Sequence, residues 1–426
     1  MFEKLFDIDP TAGEAALVAR IGDLERLKSA AAAAQARATA AFETTRRDAE
    51  DADGVPVRRR GRGVAAEIAL ARCDSPARGN RHLGFAKALV YEMPHTLEAL
   101  QCGALSEWRA TLIVRESACL DLEDRRTLDA ELCADPRRLL GLGDRRIAAE
   151  ARAIAYRLDP HAVVDRATRA ERERTVTIRP APDCMTYLTA LLPLAQGVSA
   201  YAALKRAADT SSDGRSRGQV MADTLVERVT GRSAAVTTPI AVNLVLSDET
   251  LLAGSTAPAT VVGYGPIPAA VARQLISAAV TDRQSRATLR RLYRHPRSGA
   301  LVAMESRSRL FPNGLAQFIA LRDGTCRTPY CDAPIRHTDH AIPASRGGPT
   351  TAGNGTGRCE ACNYTKEAPG WTASTHTDET GTHTAVLTTP TGATHSSTAP
   401  PVVGWERCDT STIEVDIGLA LARHAA

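Results

Sequence analysis

The chain has 426 residues, and at roughly 150 residues per domain that length predicts two or three domains. Hydrophobic residues make up 44% and charged residues 24%, which excludes wholesale disorder, and no run approaches the roughly 18 consecutive apolar residues that would span a bilayer. The 53 basic and 49 acidic residues leave a net charge of +4, too weak for a surface that wraps nucleic acid all round, so any basic binding surface must be local.

The start, Met1-Phe2-Glu3-Lys4-Leu5-Phe6-Asp7, is too acidic and too poor in apolar residues for a secretory signal, and the expected location is the cytoplasm, with no membrane partner. From about Glu14 to Arg47 the sequence is rich in Ala, Leu, Arg and Glu without proline, and Leu17, Ile21, Leu24 and Leu27 fall at helical spacing, which predicts a long amphipathic helix. The Gly/Arg/Pro stretch Gly54 to Gly63 predicts a loop. Helical periodicity returns from Val64 to about Leu158, with new helices expected at Ser75-Pro76, Met93-Pro94 and Asp135-Pro136.

Thr175 to Ile178 and Ile240 to Leu246 are β-branched runs of strand length, and between them Met185 to Arg232 reads as helical. Gly263-Tyr264-Gly265-Pro266-Ile267-Pro268 demands a fixed turn ahead of a helix starting near Pro268. From Arg273 to Arg322, ten arginines face only Asp282 and Glu305, a local balance of +8. Such a run reads either as a solvated helix face or as a phosphate-binding surface, and Arg290, Arg291 and Arg294 are the candidate DNA contacts. Past Trp371 the chain turns threonine-rich, and Thr384 to Thr388, a Pro390-Thr391-Gly392 turn and Thr394 onward predict either a β-hairpin or disorder.

Cys73, Cys102, Cys119, Cys133 and Cys184 stand singly in helical-looking sequence and read as small buried hydrophobes; Cys408 is solitary too. The other four form two close pairs. Cys326-x4-Cys331, then 27 residues, then Cys359-x2-Cys362 is the spacing of one tetrahedral metal site. Four thiolates select zinc and leave no open position, so this ion is expected to be structural. Between the pairs, Ile335 to Pro343 has strand character, Arg346 to Thr350 makes a loop with two glycines, and Cys359 to Lys366 begins a helix; pinned by zinc these would bring Asp339, His340, Asn354 and Asn363 together, with a bulge or a strand end needed for Asp339 and His340 to serve one site.

These residues resemble the HNH endonucleases, which have a ββα-metal fold. The matching signature is Cys326…Cys331…Asp339-His340…Gly347-Gly348…Asn354…Cys359-x2-Cys362-Asn363-x2-Lys366. It departs from the family in Asn363, where the last histidine is often found, and in Gly355, where leucine is more usual. The resemblance implies His340 as general base, Asp339 and Asn363 as ligands of a catalytic Mg²⁺ or Mn²⁺, and DNA as partner. Asn354 would bond the loop backbone to aim His340, or close an ordinary Asx turn; Lys366 would hold a phosphate, or stand solvated. Asn363 also reads as a helix cap, and His340 as a zinc ligand or surface histidine. The stretch from about Glu14 to Leu310 resembles the domain of unknown function found ahead of HNH nucleases in the actinobacterial 13E12 repeat family.

The expected architecture is mainly α with a small α+β part. Residues 1–310 form a helical and α+β domain, 273–322 an Arg-rich connector, 318–371 a zinc-stapled nuclease module and 372–426 a tail. The helical region is expected to bind DNA, a partner or another copy of itself. Two other readings stand beside the nuclease: a catalytically inactive zinc-ribbon protein that binds nucleic acid, and a regulatory protein working through its helices.

Overall fold

Helix α1 (Glu14–Ala52) runs unbroken through the proline-free stretch. The face it buries is the alanine one: Ala32, Ala33, Ala36 and Ala40 are covered, while Leu17, Ile21 and Leu27 stay exposed, contrary to the expected leucine stripe. Small side chains let α3 (Gly79–Lys87) and α4 (Pro94–Gln101) lie close against the middle of α1, and its first turns extend past them. In the computed structural model the described residues are 7–8, 10–211, 214–233, 244–247, 250–251, 254–262, 264–281, 292–294, 300–304 and 311–402. They fall into two units that divide between Arg169 and Ala170.

The first unit is helical. Besides α1, α3 and α4 it contains α2 (Val64–Ala71), α5 (Glu107–Ser117), α6 (Leu122–Cys133), α7 (Asp144–Leu158) and most of α8 (Pro160–Ala170). Met93, Ile113, Leu128, Leu132 and Ile147 form its larger core. The expected start at Pro94 is a true α-helix, capped from outside: the fully buried Asp129 carboxylate on α6 accepts from His95 N (2.7 Å), Thr96 N (2.8 Å) and Thr96 Oγ1 (2.5 Å). Pro76 and Pro136 instead open short 3₁₀ turns. Among the described residues, only Cys133 of the single cysteines is buried; Cys119 is half-buried, while Cys73, Cys102 and Cys184 are exposed because they sit in turns or at a helix end.

The second unit opens with the hairpin of β1 (Thr175–Ala181) and β2 (Met185–Leu191), so the helix expected from Met185 begins only at α9 (Leu194–Asp209). The turn explains the difference. Asp183 and Cys184 both adopt left-handed φ (59° and 58°), the geometry that reverses a two-stranded ribbon, and Met185 N donates to Pro182 O. Helix α10 (Arg217–Thr230) follows, closed at its start by a Ser216/Gln219 capping box. A small antiparallel sheet joins β3 (Leu244–Val245), β4 (Ala259–Val261) and β5 (Gly265–Ile267), and α11 (Ala269–Thr281) starts directly after Pro268 as expected. Tyr264 from the turn motif donates its hydroxyl to Met185 O at 2.6 Å. Ile240 to Asn243, Arg290, Arg291 and Cys408 lie outside the described residues, and Arg294 ends β6 (Leu292–Arg294), which pairs with β7 (Leu301–Met304).

After α12 (Phe311–Asp323) come β8 (His337–His340), β9 (Gly355–Arg358) and α13 (Glu360–Thr365). Residues 372–398 then form one antiparallel sheet of β10 (Thr372–Thr377), β11 (His383–Thr388) and β12 (Thr394–Thr398). The expected hairpin is its β11–β12 half, with Gly392 left-handed in the turn (φ 85°). His383, Ala385 and Leu387 alternate inward, which fixes the register. The architecture is therefore mainly α with a small α+β part. No described helix is long and apolar enough to cross a membrane.

Candidate functional site

The four paired cysteines converge. All are buried, and their sulfurs lie within 4.8 Å of one another. Cys331 Sγ stands 3.8 Å from Cys359 Sγ and 3.6 Å from Cys362 Sγ. A tetrahedron with Zn–S bonds of about 2.3 Å has S···S edges of about 3.8 Å, so this set could hold a structural metal ion such as zinc. The backbone is folded for it: Cys331 N donates to Thr328 O, Cys326 N to Ala333 O, and Tyr330 takes a left-handed φ of 62° to close the knuckle. Four thiols this close interfere with each other's ionisation. Hydrogen bonds from Cys331 and Cys362 pull Cys326 down, while the bond to Cys326 pushes Cys331 up to about 11 and pushes Cys362 upward too. Only a cation among them lets all four be thiolates together.

A buried charged network braces this centre, and sequence reasoning did not foresee it. Asp323, 1% exposed, receives Gly357 N (2.7 Å) and pairs with Arg322 (2.7 Å), whose other nitrogens donate to Ala352 O and Gly355 O. Arg358 donates to Thr328 Oγ1 (2.9 Å) and Thr356 Oγ1 (3.2 Å). Arg327 reaches His383 O and Ser397 O, which ties the C-terminal sheet to the cysteine knuckle. Burial pushes the His383 imidazole pKa down, and its Nε2 meets Gly353 O at 2.9 Å. The signal available in the sequence was Arg322-Asp323 beside the first cysteine, which reads as surface charge until the partners are known.

Strand β8 pairs regularly with β9, Asp339 opposite Thr356 and His340 opposite Gly355. His340 thus ends its strand, which is one of the two arrangements that let neighbours with opposite facing serve one site. Asp339 Oδ1 accepts His340 N at 2.8 Å. His340 Nε2 lies 2.8 Å from Thr350 Oγ1, and Nδ1 has no hydrogen-bond partner among the described residues. Thr350 is a contact that sequence reasoning missed. Its loop is held by Asn354, which is 6% exposed: Oδ1 accepts Ile342 N (2.9 Å), and Nδ2 donates to Ile342 O (3.0 Å) and Pro349 O (2.9 Å). A Cβ at Gly355 would collide with Ile319 of α12, so that isoleucine occupies the space near a larger residue's side chain.

Helix α13 brings the last two candidates. Lys366 is buried, not solvated: its ammonium lies 2.8 Å from Asp339 Oδ2 and also meets Glu367. Asn363 follows Cys362, and its Oδ1 is buried with no hydrogen-bond partner among the described residues. An unpaired buried acceptor costs about 1–3 kcal/mol, which a cation ligand would offset. Asp339, through Lys366, and Asn363 are therefore tied to the same short helix, and their oxygens are the donor type that Mg²⁺ or Mn²⁺ takes. The candidate DNA contacts Arg290 and Arg291, and the Arg294 side chain, lie outside the described residues.

A family model described as Domain of unknown function (DUF222) matches residues 24–323. The match ends three residues before Cys326, so the cysteine cluster and the Asp339–His340 strand lie beyond it. No curated protein and no solved structure matches the chain. With residues 24–323 matched, well over half its length, the chain belongs to the DUF222 family.

Proposed function

We propose that residues 318–371 form a metal-dependent HNH-type endonuclease that hydrolyses DNA phosphodiester bonds, stapled by one structural zinc on Cys326, Cys331, Cys359 and Cys362. The observation that carries the reading is the buried, unpartnered Asn363 oxygen, one residue beyond a zinc cysteine and on the helix whose Lys366 grips Asp339. A divalent cation held by Asp339 and Asn363 would offset the charge that builds on the phosphate during displacement. His340 supplies the base. With Nε2 engaged by Thr350, Nδ1 is the nitrogen that takes the proton of an attacking water. Asn354 acts through the loop as a positioning residue, and Lys366 keeps the Asp339 carboxylate oriented toward α13.

A second reading draws on that same ion pair. With its ammonium already on Asp339 Oδ2, Lys366 suits a module that binds nucleic acid and does not cut it. Supercoiled plasmid incubated with Mg²⁺ or Mn²⁺ separates the two: the nuclease nicks it, and Asp339→Ala and Asn363→Ala each abolish nicking without releasing zinc. Plasmid that is bound and left intact by wild type supports the second reading. The helical residues 1–310 would add affinity for DNA, a partner or a second copy.

A further inference from the structure

We propose that the pocket between the loop after β8 and the turn after α13 is a phosphate subsite, in which Arg346, Lys366 and the indole N–H of Trp371 hold a DNA phosphate adjoining the one that is cut. This deepens the nuclease reading and rests on it. The pocket has a volume of about 80 Å³, opens to solvent, and is lined by Ile342, Pro343, Arg346, Lys366, Glu367 and Trp371 among others.

Three residues that line this space carry donors not used up within the described chain. Trp371 is 2% exposed, yet its buried Nε1 has no acceptor among the described residues. Lys366 is nearly as buried and offers three N–H donors, of which Asp339 and Glu367 take two. Arg346 is exposed, and its guanidinium has no partner among the described residues. Glu367 and Asp339 both pair with Lys366, so the cation of the lining that no carboxylate offsets among the described residues is Arg346.

Cationic donors together with an indole N–H select an anion rich in acceptor oxygens, and a phosphodiester has two such oxygens outside the chain of the polymer. An apolar ligand would leave the indole N–H unpaired, and a cation would be repelled. The pocket also has the right address. Lys366 links it to Asp339, and Ala341, Ile342 and Pro343 of its wall follow His340 directly. A phosphate seated there would fix the strand's register on the nuclease site.

The test uses the full, zinc-loaded chain without Mg²⁺ or Mn²⁺, and reads the tryptophan fluorescence of wild type minus that of Trp371→Phe, which removes the Trp371 indole and so isolates its signal from the other tryptophans. Titration with a short DNA duplex should give a saturable change, and Arg346→Ala should raise its midpoint about tenfold, the effect of losing one charged hydrogen bond. Sodium phosphate serves as the second probe. Saturation by sodium phosphate with no response to duplex would assign the pocket to free phosphate and overturn the proposal, as would a flat response to both or an unchanged midpoint in Arg346→Ala. A flat response in a protein that nicks plasmid removes the subsite and leaves the nuclease standing; a saturable duplex response in a protein that does not nick does the reverse.

Discussion

Lowering the pH should strip the zinc centre in a way set by its own thiols. In the metal-free fold the hydrogen bond to Cys326 pushes the Cys331 thiol up to about 11, and the same neighbours push Cys362 up. Both therefore carry protons at neutral pH, and both must lose them when four thiolates close on the ion. The sign follows: protons compete with zinc, so affinity falls as pH falls. Release of at least these two protons corresponds to a change in zinc Kd of about a hundredfold or more per pH unit. Competition against a chromophoric chelator at pH 6.5, 7.0 and 7.5 measures that slope, and metal analysis should find one zinc per chain. Chelation should unfold the C-terminal module, since structural zinc supplies roughly 10 kcal/mol or more of folding free energy, while the helical unit with its own core stays folded. A Kd independent of pH, or a folded module without zinc, would refute the reasoning.

Asn354→Ala strips three side-chain hydrogen bonds from the loop after β8 and should cost about 2–4 kcal/mol in urea unfolding, through the lost bonds to the Ile342 and Pro349 backbone. Asp323→Ala leaves Arg322 and Arg327 buried without their carboxylate, and a loss of about 3–5 kcal/mol is expected by the same measurement. Replacing Arg290, Arg291 and Arg294 together by alanine should flatten the slope of log DNA affinity against log salt by up to about three units, because each phosphate contact contributes about 0.9. An unchanged slope returns that run to a solvated surface.

The parts of the site legible in sequence were those fixed by local spacing. Two cysteine pairs announce a metal whatever surrounds them, and Ile335 to Pro343 announces a strand, though the structure ends it at His340. What stayed hidden depends on partners far away in the chain. Lys366 looks like any surface lysine until β8 brings Asp339 to it, and Arg327 and Arg358 look solvated until the sheet of residues 372–398 and the zinc knuckle cover them. The helical unit shows the same limit. Leucines at helical spacing pointed to one face of α1, yet alanines were buried, because close approach of neighbouring helices outweighed side-chain hydrophobicity. Strand β2 was read as helix because its periodicity is weak, and the deciding information was the Pro182-Asp183-Cys184 turn before it.

The central claim is that His340 activates water at a phosphodiester. It is tested most directly by purifying wild type and His340→Ala with equal zinc content, confirming equal affinity for a plasmid, and timing nicking with Mg²⁺ or Mn²⁺. The account predicts that binding is retained while the nicking rate falls by about 10²–10⁴-fold, the usual contribution of a positioned general base. Equal nicking by the two proteins would contradict it.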